Sequence, residues 1–205
     1  MKPFRFRANI LHTCAIIAGV ILLLAVLYWV YRSTVETFEL NCISSSVDGN
    51  TYCVRDSDRQ QESADLLAQV TTRMQTLVSH LAKQYPANPA VSRLKSNFNP
   101  EKISEILPDS DHVAFTENKK KMSFCLTEKK KGDSDTVDIN TLMFVCLHEM
   151  SHMATASIGH GTEFWTNFKF ILEEAQSIGI YDPQNYKEEP TEYCSMKINS
   201  SPLFE

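Results

Sequence analysis

Ile10 to Val30 is a run of 21 residues that carries no charge and only His12 and Thr13 as clearly polar side chains. At ~1.5 Å per residue a helix of that length spans about 30 Å, the hydrocarbon thickness of a bilayer. Tyr28, Trp29 and Tyr31 gather at its far end, as aromatic side chains do at a membrane interface. A cleaved signal peptide would have a shorter apolar core ending in small residues. This run ends in Tyr-Trp-Val-Tyr-Arg, which favours a retained anchor. Lys2, Arg5 and Arg7 precede it; Arg32 follows, with Glu36 and Glu39 close behind. The positive-inside rule then predicts a single-pass protein with a cytoplasmic tail over 1–9, a transmembrane helix over 10–31, and residues 32–205 on the opposite side.

The other residues of the 205 suffice for one compact domain. The net charge of −5 gives no broad basic field and no argument for nucleic acid as a partner. Of six cysteines, Cys14 lies in the anchor, leaving five; if the others pair within the chain, at least one stays a free thiol.

Residues 38–56 read as a β-hairpin turning at Asp48-Gly49, with Cys42 and Cys53 flanking the turn. On an oxidising side of the membrane a Cys42–Cys53 disulfide is favoured over two thiols in an apolar cluster. These residues make a juxtamembrane hairpin over 32–59, ahead of a domain over 60–205. Gln60 to Tyr85 predicts a long helix, since Leu66, Leu67, Val70, Met74, Leu77, Val78 and Leu81 share one face, and Pro86 ends it. A short helix is predicted from Pro100 to Leu107, and a strand over Met122–Leu126. Lys119–Lys121 and Lys129–Lys131 bracket that strand, either as a basic steering surface or as solvated strand ends. Residues 132–135 read as a loop. Helices are predicted over Ile139–Thr155, with Asp138 or Asn140 as N-cap, and over Thr162–Ile178, and a strand over Tyr193–Ile198.

The chemistry sits on the helix beginning at Ile139. His148 and His152 are four residues apart, so both side chains leave one helix face a turn apart. Two imidazoles so placed can share a Zn²⁺ ion at about 2.0–2.1 Å each. Glu149, next to the first ligand, can reach a zinc-bound water and act as its general base. The preceding run Met143–Leu147 is apolar, and polar groups on a buried helix call for a partner. A catalytic zinc takes three protein ligands and keeps one position open. His160, between Gly159 and Gly161, is the leading third ligand; Glu173 or Glu174 is the rival. Glu163 reads as a carboxylate orienting a ligand imidazole or as a helix-start charge. His12, His80 and His112 are isolated and read as structural. An oxyanion donor beyond the metal could come from Tyr181, Tyr186 or Tyr193; Tyr193 is the choice among the three, with a simple packing role as the favoured alternative.

The His148-Glu149-Met150-Ser151-His152 motif, followed by Gly159-His160 just before a helix opening with Glu163-Phe164-Trp165, resembles the SprT-like and WLM-type zinc metallopeptidases over roughly residues 120–180. Thr51–Arg55 and Glu192–Cys194 are also similar to uncharacterised predicted metallopeptidases of large DNA viruses. The first resemblance implies an α+β, zincin-like domain with an active-site helix, a short antiparallel sheet and supporting helices, placed here behind one transmembrane helix. The second implies a viral or virion membrane. The chain lacks the zinc ribbon and DNA-binding tail of the SprT kind, the metzincin spacing and a Met-turn, so the resemblance implies a peptidase fold and not a DNA–protein crosslink substrate.

Together these readings predict a membrane-anchored zinc endopeptidase acting on a protein or peptide. The alternative is a catalytically silent zincin-fold protein serving a structural role in a virion membrane. A zinc-stabilised binding module fits less well, because structural zinc sites usually close with a fourth ligand.

Overall fold

The computed structural model describes residues 4–34, 39–107, 110–127 and 135–205. Two compact units divide the chain, Met1–Thr37 and Phe38–Glu205. The first is helix α1 (Phe4–Thr34). Its Thr13–Val30 stretch is long and apolar enough to cross a membrane, and none of it is buried.

The second unit is α+β. In chain order it holds β1 (Leu40–Ser44), β2 (Thr51–Arg55), α2 (Gln60–Gln84), α3 (Pro89–Asn97), β3 (Ile103–Glu105), β4 (Ala114–Glu117), β5 (Lys121–Phe124), α4 (Ile139–Ala154), α5 (Thr162–Ser177), β6 (Thr191–Tyr193) and β7 (Met196–Ile198). The main sheet runs β1-β2-β3-β5-β4, and β6-β7 is a separate hairpin. The expected hairpin forms, and it supplies two strands of this sheet. Cys42 and Cys53 face each other in its register and are joined by a disulfide.

The sheet is mixed, not antiparallel as predicted: β3 runs parallel to both β2 and β5. The predicted helix over Pro100–Leu107 is also corrected. One 3₁₀ turn, Pro100–Lys102, leads straight into β3. This strand is short and buried throughout, and its Glu105 is held by an ion pair with Arg55. A charged residue there hides the strand from any reading based on apolar alternation. Helix α3 was not anticipated, although Asn88 caps it by accepting from the Ala90 N–H at 2.9 Å and Pro89 opens it.

Helices α2 and α5 match their predicted spans to within a residue at either end. In α2, Leu67, Val70, Met74, Leu77 and Leu81 are fully buried, as their spacing requires. Helix α4 lies at the centre. Asp138 caps it by accepting from the Thr141 N–H at 2.8 Å, and Leu142, Met143, Cys146, Leu147, Met150 and Met153 are all fully buried. Burying six such side chains stabilises the unit by roughly 1.5–3 kcal/mol each for the larger ones. Packing therefore fixes the position of every other residue on α4. A second disulfide, Cys125–Cys194, ties the end of β5 to the β6–β7 hairpin, and Cys146 remains a buried free thiol. The Lys129–Lys131 run and most of the predicted 132–135 loop lie outside the described residues.

Candidate metal centre

His148 and His152 stand one turn apart on α4, with ring centroids 5.0 Å apart. His160 arrives from the α4–α5 loop, 4.9 Å from the His148 ring and 4.8 Å from the His152 ring. One ring nitrogen from each histidine lies within 4.8 Å of the other two. Gly159, at φ +82°, makes the turn that returns the chain over the helix. The fully buried Phe164 ring packs against all three imidazoles at 4.9, 4.4 and 4.6 Å.

Donor chemistry and spacing both fit one small cation. Nε2 of His148 and Nε2 of His160 are 3.0 Å apart. Two nitrogens on one tetrahedral zinc lie about 3.3 Å apart, so the pair needs to open only slightly. Burial, with the neighbouring imidazoles, pushes His148 down to about 3; burial, with His160 and Lys119, pushes His152 down to about 4. Both rings are therefore neutral near pH 7, which is the ligand form of histidine.

Glu149 is 6% exposed and turns to the other side of the rim, toward β4. Thr116 Oγ1 donates to its Oε2 at 2.7 Å. Burial pushes its carboxyl up to about 6, and the Thr116 hydrogen bond partly offsets that. His148, Glu149 and His160 all face one cavity of about 580 Å³.

The loop carrying His160 is held from three sides. Oε1 of Glu163 accepts from the Ala156 N–H at 3.1 Å, and its Oε2 accepts from the Ser157 N–H at 3.3 Å and hydroxyl at 3.2 Å. Arg93 on α3 donates to Glu163 at 2.8 Å and to the Ala154 carbonyl at 2.7 Å. Lys119, in the β4–β5 turn, donates to the carbonyls of Thr155, Ala156 and Ser157. A cation there also complements the C-terminal end of the α4 dipole. Glu163 thus orients backbone amides; among the described contacts it touches no ligand imidazole.

The glutamates offered as rival ligands lie elsewhere. Glu174 pairs with His80 at 2.8 Å and accepts from the Tyr85 hydroxyl at 2.7 Å; Glu173 is exposed. Tyr193 needs correction as an oxyanion donor. It is fully buried, with its hydroxyl donating to the Cys125 carbonyl at 2.8 Å, and it does not line the cavity. Tyr181 and Tyr186 are buried against Phe144. His112, read as structural, does line the cavity. Thr116, Lys119 and Arg93 carried no local signal, since each reaches the site from at least 33 residues away in sequence.

The chain is 26% identical to an uncharacterised protein of Acanthamoeba polyphaga mimivirus, over 92% of this chain and 98% of that one. It is 40% identical over 80 residues to an uncharacterised protein of Invertebrate iridescent virus 6, covering 39% of this chain and 45% of the relative. A third relative, from Invertebrate iridescent virus 3, is 37% identical over 99 residues, covering 48% and 57%. No family model and no solved structure matches the chain. What the comparisons show is similarity to proteins of large DNA viruses.

Proposed function

We propose that the chain is a membrane-anchored, zinc-dependent endopeptidase with a zincin-like domain. The observation that carries this reading is the convergence of three imidazoles beside one buried carboxylate, with His148, His160 and Glu149 lining a single cavity. His148, His152 and His160 would hold the ion through one ring nitrogen each. Bound zinc would supply Lewis acidity, polarising a carbonyl and making water acidic near neutral pH. Glu149 has one carboxylate oxygen held by Thr116, which leaves Oε1 to take a proton and hand it to a leaving amine. Its raised pKa suits that exchange, because a group titrating near the working pH both accepts and releases a proton readily.

The α1 span supports the anchor, and the two disulfides support an oxidising compartment for residues 39–205, on the side opposite a basic N-terminal tail. The viral relatives support a viral or virion membrane.

The test compares zinc content and proteolysis by the wild-type chain and by Glu149→Gln. The variant should keep its zinc and melting temperature while hydrolysis of an unfolded protein falls by about 10²–10⁴-fold. Equal inactivity of both, with zinc retained, would instead favour a silent structural protein of the virion membrane.

A further inference from the structure

The cavity lined by His148, Glu149 and His160 is otherwise mostly apolar, with Phe144, Val145, Trp165, Phe168, Met196 and Ile198 among its walls, and Asp111, His112, Asn199 and Ser200 as its other polar residues. Its volume of about 580 Å³ is in the range of sites that enclose a substrate group. Helices α4 and α5 supply the fixed walls, while Met196 and Ile198 come from the β6–β7 hairpin.

That hairpin is built to hold one shape. Tyr193 pairs with Met196, so the turn is the two residues Cys194 and Ser195, at φ +49° and +66°. Positive φ at both positions is the I′ geometry that ordinarily selects Asn-Gly. Non-glycine residues persist in it only where the surroundings impose it. Here two bonds to one residue do so: the Cys125–Cys194 disulfide and the Tyr193 hydroxyl on the Cys125 carbonyl. The wall is thereby pinned to the end of β5. Met196 is 45% exposed and Trp165 40%, leaving two large apolar side chains of the cavity lining open to solvent.

From this arrangement we propose that the hairpin is the specificity-determining wall of the cleft, which takes a bulky apolar side chain of an extended polypeptide next to the group presented to the histidines. The proposal deepens the peptidase reading and rests on it for the identity of the occupant. The apolar walls line the same cavity as Glu149, so a peptide whose apolar side chain is seated there brings its own backbone into the space that holds the carboxylate.

Full-length Glu149→Gln in nanodiscs, with empty nanodiscs as the control, allows binding to be read without turnover. Four fluorescent peptides differing only in a central Phe, Leu, Asp or Lys are compared by anisotropy. The Phe and Leu peptides should bind about tenfold or more tightly than the other two, the scale on which an apolar pocket discriminates. Adding Met196→Arg should erase the difference and Met196→Leu should keep it; the exposure of Met196 lets the fold tolerate both. Equal binding of all four, binding of none, or a preference indifferent to Met196→Arg overturns the proposal. The same peptides offered to the wild-type chain separate the two claims. Cleavage of all four alike removes the pocket and keeps the peptidase. A Met196-dependent apolar preference without any cleavage keeps the pocket and removes the peptidase.

Discussion

The hydroxyl of Thr116, on the last strand in the sheet order, donates to Oε2 of Glu149 on α4 at 2.7 Å. This bond favours the charged carboxylate and opposes the effect of burial. Thr116→Val removes the donor at nearly constant volume, so the carboxyl pKa rises further. In the proposed reaction a base with a higher pKa is protonated, and idle, up to a higher pH. The acid limb of the kcat/KM profile should therefore move upward in pH. A limb that stays in place, or moves down, would show that the hydrogen bond has no part in tuning Glu149.

Zinc occupancy should depend on His160 and not on the glutamates of α5. His160→Ala removes one of three converging donors and should sharply reduce the metal retained through dialysis. Glu173→Ala and Glu174→Ala should retain it, since neither side chain joins the cluster. Retention by His160→Ala with loss in either glutamate variant would reassign the third ligand.

Glu163 should act on the metal only through the loop it braces. Glu163→Ala frees the Ala156 and Ser157 amides, and zinc affinity should fall by about 10–100-fold, as when groups supporting a ligand are removed. Competition with a chromophoric chelator measures this. In a His160→Ala background the same substitution should cost little more, because residues acting in series are not additive. Full additivity would mean that Glu163 supports the fold generally.

The two disulfides should differ in their contribution to stability. Their cysteines are 69 and 11 residues apart in sequence. Chain entropy gives about 4 kcal/mol for Cys125–Cys194 and about 3 kcal/mol for Cys42–Cys53. Denaturant unfolding of the two paired Cys→Ser variants should show the larger loss for the first. The opposite order would point to residual structure in the reduced, unfolded chain.

The parts that could be read in the sequence are those with local repetition. Leu67, Val70, Met74, Leu77 and Leu81 repeat with the helical period, and α2 forms where they predict it. His148 and His152 share a face by spacing alone, and the structure brings His160 over them through Gly159. Strand β3 escaped because Glu105 is buried by a partner 50 residues away, Arg55, which no local window contains. Tyr193 misled for the same reason. The strand expected over Tyr193–Ile198 is a hairpin in which Tyr193 ends β6 and Met196 opens β7, and the partner of the Tyr193 hydroxyl, 68 residues back, has no local signal. Lys119 looked like one solvated lysine in a run, and only the turn between β4 and β5 brings it to the end of α4.

Helix α4 buries twelve of its sixteen residues, Thr141–Leu147, Glu149–Ser151, Met153 and Ala154, while also presenting His148 and His152. The same sixteen residues thus serve as the keystone of the core and as the platform for two of the three clustered histidines. In a saturation mutagenesis screen this helix should form one continuous band of intolerance. Most positions in the band should lose protein abundance. Positions 148, 149 and 152 should separate from the rest, keeping abundance while losing metal or turnover. Transplanting the five-residue motif onto another scaffold would require moving the surrounding apolar core with it.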